Sequence, residues 1–199
     1  MRNTALILMD YQHDICGPDG ALGTMSGLSE QTAARGILPR VAAILEQART
    51  AGVHILHVRV AFDAEYLHRT NRSVKFGGIE SKGLLQRGSE GSRFLGEAAP
   101  KAGEAIFEKG CVNPFIGTAL QGRLTSLGVR ELYIAGVATN FVVESAARHA
   151  GDSGFDVNVL EDLCASYNET MHQFAIEQTL PTFASIVQSS DFLSKLGDA

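Results

Sequence analysis

No apolar run in this chain is long enough to cross a bilayer, which argues against a membrane-spanning protein. Residues 1–9 are too short, and too close to the acidic Asp10, to read as a signal peptide, so the expectation is a cytoplasmic protein. Positive charge is scarce. Seventeen Lys and Arg stand against 22 Asp and Glu, a formal net charge of −5, and no clustered basic excess offers a surface to nucleic acid. Cysteine is scarce too: Cys16, Cys111 and Cys164 are odd in number and lack paired CxxC spacing, which excludes a disulfide framework and points to free thiols. Neither an internal repeat nor a low-complexity tract is visible, and 199 residues fit one domain, 1–199, able to bury a core of its own.

What is present alternates between two periods. Residues 5–9 (ALILM) form an unbroken apolar run ending at Asp10, the mark of a parallel strand buried on both faces. Residues 11–27 are polar and glycine-rich, with Pro18 and Gly20, and read as loop. Apolar residues at 37, 38, 41, 44, 45 and 48 line one helix face over 37–51, and Gly52 is placed to end it. A second strand covers 53–60. Residues 61–100 carry recurrent glycine and little periodicity; so long a connection reads as a lid or binding loop over the strand ends. Further strands are expected at 105–108, 132–135, 155–160 and 185–188, with helices at 114–127 and 169–180. The stretch 131–150 reads as strand, turn at Gly136 and helix, with Thr139 or Asn140 as the cap. Strands alternating with helices imply an α/β domain, its parallel sheet covered on both faces and joined by right-handed crossovers.

Three strand ends carry chemistry: Asp10, Lys109 and the turn after Gly136. Ligands of open α/β sheets sit at that end. A carboxylate and an ammonium in a partly desolvated pocket can share and pass a proton, while a plain structural salt bridge is the competing reading.

Four blocks in order, LILMDYQHD at 6–14, EKGCVNPFIGT at 108–118, AGVATNFVVESAARHA at 135–150 and EDLCAS at 161–166, resemble the isochorismatase-like, or cysteine hydrolase, superfamily. The resemblance implies a three-layer α/β/α domain with a six-stranded, mainly parallel, Rossmann-like sheet, a small-molecule substrate, no cofactor, and a homodimer or homotetramer. It implies an Asp–Lys–Cys triad, in which Asp10 and Lys109 match, whereas Val142 stands at the nucleophile position. A valine side chain cannot attack a carbonyl, so thioester chemistry is excluded there. The resemblance also implies a cis peptide between Val137 and Ala138. The turn of Val137, Ala138 and Phe141 would hold an oxyanion, and Gln12, Cys111, Phe115 and Thr139 are candidate substrate contacts.

Four readings stay open. Asp10 could protonate a vinyl ether, with Lys109 holding its charge state. It could instead activate water against an amide, imide or ureide. Cys111, two residues from Lys109, could replace the missing nucleophile. Finally, the chain could be a catalytically silent binding relative. The chain lacks the histidine-containing turn shared by true isochorismatases, and His57 to Tyr66 lacks the Asp-x-His of the metal-binding nicotinamidases, so no metal is expected. His54 and His57 fall on opposite strand faces, Cys164 reads as packing, Cys16 as pocket lining or exposed, and Asp14 as orienting the first loop. Arg59, Arg69, Arg72 and Lys75 are candidate anchors for an acidic substrate or a solvated face.

Overall fold

A computed structural model describes residues 3–197. Six parallel strands form one sheet in the order β3-β2-β1-β4-β5-β6: β1 Thr4–Met9, β2 His54–Val60, β3 Ala105–Lys109, β4 Glu131–Gly136, β5 Asp156–Leu160 and β6 Ser185–Val187. Every residue of β1 is buried. Leu6, Ile7 and Leu8 are at most 1% exposed, and burying each such side chain contributes about 1.5–3 kcal/mol, which fixes β1 at the centre. The chain steps from β1 to β2 and β3 on one side, then crosses back to lay β4, β5 and β6 on the other. The switch point therefore falls between β1 and β4, where an open α/β sheet leaves a crevice at its C-terminal edge.

Right-handed crossovers put α4 (Ile37–Thr50), between β1 and β2, and α7 (Glu144–Asp152), between β4 and β5, on opposite faces, because those strand pairs step in opposite directions. Ile37, Val41, Ile44, Leu45 and Ala48 bury the inner face of α4, the spacing read from sequence. Gly52, at φ +68°, follows the helix end. The last helix, α9 (Ser189–Gly197), packs beside α4.

Several elements differ from the sequence reading. Residues 11–27 are not loop throughout: they hold α1 (His13–Cys16) and α2 (Ala21–Ser26), followed by α3 (Leu28–Ala34). Gly20 and Gly23 serve that packing, since a Cβ on either would come within 2.2 Å of the α1 backbone or the Ser29 hydroxyl. The segment 61–100 contains α5 (Val74–Ser81) and two short 3-10 turns. It has its own apolar cluster of Val60, Phe62, Tyr66, Phe76, Ile79 and Leu85. The expected helix 114–127 shrinks to α6, Leu120–Ser126. Asn113 and Thr118 accept the amides of Phe115 (2.8 Å) and Leu120 (3.3 Å) and hold the preceding residues in turns. Likewise α8 is regular only over Glu169–Phe174 and continues as a π turn, Ala175–Thr179.

Candidate active site

Asp10 follows β1 with φ +65°, in the left-handed region. An aspartate tolerates it better than a branched residue. Its N–H donates to Val58 O at 2.9 Å, tying it to β2. Lys109 ends β3, two strands away, and its Nζ reaches across β2 to Asp10 Oδ2 at 2.7 Å while also donating to Val112 O at 2.7 Å. Both residues are buried, 5% and 2% exposed. Asp10 Oδ1 has no hydrogen-bond partner among the described residues. Burial pushes the Asp10 carboxyl above the usual carboxylate range, and the charge and hydrogen bond of Lys109 pull it back only in part. The strand ends thus bring together a carboxyl able to hold a proton, an ammonium to compensate it, and one free oxygen.

Beyond β4, Gly136 lies against β1: a Cβ there would come 2.6 Å from Met9 O, so glycine lets the two central strands close up. The Val137–Ala138 peptide is cis, and a π turn, Thr139–Val143, leads into α7. Backbone donors of the turn are mostly spent. Thr139 N–H donates to Ala165 O at 2.8 Å and Phe141 N–H to Ala138 O at 3.1 Å. This corrects the broad oxyanion expectation. The tight turn folds the Phe141 amide back on Ala138, so Phe141 offers only its ring, whereas the Ala138 N–H finds no protein acceptor among the described residues. Neither Thr139 nor Asn140 caps the helix. Thr139 Oγ1 lies 2.8 Å from His172 Nδ1, and His172 Nε2 lies 2.8 Å from Glu161 Oε1, while Asn140 Oδ1 accepts from Ser166 Oγ at 2.5 Å. His172, Arg35 and Gln188 on Glu161 hold its carboxyl at about 2.

A cavity of about 340 Å³ opens above these groups. Asp10, Lys109, Val137, Ala138 and Val142 form its base, Phe141 and Tyr167 one side, and α5 the roof through Lys75, Phe76 and Ile79. Cys111 is on the wall, with its Sγ 3.5 Å from Asn113 O. Of the other candidate contacts, Gln12, Phe115 and Thr139 are not on the cavity surface. Gln12 is fully buried and its amide is committed: Nε2 donates to Val60 O (2.8 Å) and Ser92 O (3.0 Å), and Oε1 accepts from Val60 N–H (2.7 Å). It clamps the first loop to β2. Phe115 stacks on His149 with centroids 4.4 Å apart.

Cys16 and Cys164 are buried, and burial pushes both thiols up, Cys164 to about 12. Buried His57 is spent on Glu104 at 2.8 Å. Asp63 accepts from the backbone of Leu67 and His68 and is paired with the His68 ring. Among the four cations weighed as anchors, Arg59 is paired with Glu108 at 2.6 Å and Arg69 with Glu80 at 2.5 Å. Only Lys75 lines the cavity. Sequence reasoning missed Lys82 and Tyr167, which also line it. Lys75 lies in the first turn of α5 and Lys82 caps its C-terminal end, a placement legible only once α5 is recognised.

A parallel sheet with a buried carboxyl–ammonium pair beneath a cavity at its switch point is the arrangement of an α/β protein that takes a small molecule. Comparison narrows that class. A profile described as "Isochorismatase domain" matches residues 4–191, and the chain belongs to the isochorismatase family of hydrolases. It is 25% identical over 209 residues to the ureidoacrylate amidohydrolase RutB of Caulobacter segnis, covering 98% of this chain and 87% of that one. A crystal structure of an isochorismatase family protein from Desulfovibrio vulgaris matches with a TM-score of 0.85 at 23% identity, covering 99% of this chain and 100% of that one. A cysteine hydrolase from Pseudomonas syringae matches at 0.85 with 20% identity, covering 99% and 93%.

Proposed function

We propose that the protein hydrolyses a small, partly apolar molecule without a covalent enzyme intermediate, with Asp10 carrying the proton, Lys109 balancing its charge and the Ala138 N–H receiving the developing oxyanion. One observation carries the reading: Asp10 Oδ2 sits 2.7 Å from Lys109 Nζ in a buried site, with Oδ1 left unpartnered. An amide or ureide bond is the favoured target. In that reaction Oδ1 orients a water and takes its proton as oxygen attacks the carbonyl carbon, and the carboxyl then returns the proton to the leaving nitrogen. Attack places negative charge on the carbonyl oxygen, and a preorganised amide donor is the group that stabilises it. Relatives named amidohydrolases support the same bond class. A vinyl ether is the second reading, in which the raised pKa of Asp10 favours the protonated acid.

Val142 occupies the position where the resemblance places sulfur; its buried isopropyl group lines the cavity and shapes an apolar floor. The proposal extends to a cytoplasmic homodimer or homotetramer, as the family resemblance implies, an assembly that light scattering on a sizing column tests. For the chemistry, the test is Asp10→Asn assayed with wild type on amides, imides, ureides and vinyl ethers. Loss of turnover with retained ligand binding supports the enzyme. No turnover by wild type on any of the four classes supports a silent binding protein, and turnover that survives full alkylation of Cys111 excludes that thiol as the nucleophile.

A further inference from the structure

The chain is acidic overall, yet three of its five lysines, Lys75, Lys82 and Lys109, line one cavity, whose lining holds a single carboxylate, Asp10. Lys109 answers that carboxylate at 2.7 Å. Lys75 and Lys82 remain, and among the described residues neither has an acidic partner within ion-pair distance, whereas Arg59, Arg69 and Arg87 in the same stretch of chain are all paired. Lys75 instead donates to the Tyr167 hydroxyl and lies 4.3 Å from the Phe141 ring centroid. Cation–π contact holds an ammonium in place without neutralising it. Phe141 belongs to the turn that carries Ala138, so the Lys75 ammonium is stationed on the turn side of the roof. Among the described residues Lys82 Nζ meets only a soft neutral atom, Met25 Sδ, at 3.3 Å. Partial burial of its ammonium lowers the pKa of Lys75, although the residue as a whole stays exposed.

We infer that the substrate is a small carboxylate, its charge bound by Lys75 with Lys82 adding to the field, its apolar body against Leu22, Ile79 and Leu85, and its reacting group over Asp10. This deepens the hydrolytic reading and rests on it for the placement of the reacting group. It also accounts for two uncompensated cations over an otherwise greasy cavity, since a carboxylate entering there gains from complementary potential that a neutral molecule does not feel.

The test separates recognition from chemistry by using ligands with nothing to hydrolyse. Titration calorimetry of the wild-type protein compares straight and branched alkanoates of four to six carbons with the alcohols of the same chains. The expected result is about tenfold tighter binding of the carboxylate member, as for a charge-assisted hydrogen bond, with added salt weakening only that member. Lys75→Met brings the ratio toward one while the alcohols still bind, which shows the cavity intact; Lys75→Arg keeps most of the preference. Arg72→Met, an exposed residue outside the cavity, leaves the ratio unchanged. Equal affinities in wild type, or a preference that Lys75→Met does not reduce, overturns the inference. Turnover of neutral amides with no carboxylate preference sinks this inference and spares the hydrolytic reading. Carboxylate preference without turnover on any panel member does the reverse.

Discussion

Replacing Lys109 with Met removes the ammonium but keeps the length of the side chain, and leaves the Asp10 carboxyl buried with neither oxygen paired. Breaking one side of a buried ion pair costs about 3–5 kcal/mol, and the Val112 carbonyl loses its donor as well. Asp10 can escape by taking up a proton. Burial already raises its pKa, and Lys109 supplies both influences that lower it, so the variant raises it further. A carboxyl raised in the folded state favours folding at low pH, and that contribution drains away as pH climbs from the ordinary value toward the raised one. Within that window the loss runs at about 1.4 kcal/mol per pH unit. Urea unfolding of Lys109→Met therefore shows a deficit of about 3–5 kcal/mol at pH 7 that shrinks as pH falls from the variant's raised value toward that of wild type. Adding Asp10→Asn to Lys109→Met restores part of the loss at pH 7, since a neutral amide tolerates burial better than an unpaired carboxylate and asparagine accepts the left-handed backbone there. A deficit below about 1 kcal/mol with no pH dependence would refute the reasoning.

Val142→Cys sets a thiol in the cavity floor beside Lys109 and Ala138. Iodoacetamide at pH 7.5 should label it while Cys16 and Cys164, buried and with raised pKa, stay unmodified by peptide mass mapping. His172→Ala removes the buried link between Thr139 and Glu161; unfolding measurements should show a loss of about 1–3 kcal/mol. Glu161 and Glu104 are both held at about 2 against an ordinary 4.5. Their contribution is present above pH 4.5 and is lost as pH falls toward 2, and a thermal midpoint that stays level across that window contradicts these pairings.

The sheet was legible because its central strands hold continuous apolar runs, 5–9 and 132–135, and residues 5–9 could bury both faces only as a central strand. Asp10 was legible for the same reason, since it closes such a run, and Lys109 was legible as the residue after the expected strand at 105–108. What escaped depended on partners distant in sequence. Nothing at Gln12 shows that Val60 and Ser92 will occupy its amide, and nothing at Thr139 announces His172, thirty-three residues on. Helix α5 was hidden because only Phe76 and Ile79 of its eight residues are buried, too few to print a period on a glycine-rich segment. Lys75 could not be told from Arg59 and Arg69 until Glu108 and Glu80 arrived to claim the arginines. The turn amides were overcounted because a helix N-terminus was assumed where a π turn spends Phe141 on Ala138.

The most direct measurement sets Asp10→Asn beside Cys111→Ser on one substrate turned over by wild type. The account predicts that kcat/KM falls by at least about a hundredfold in the first, the usual loss of a general acid–base, and stays within about threefold in the second. A collapse on removing the thiol, with the asparagine variant still active, would contradict it.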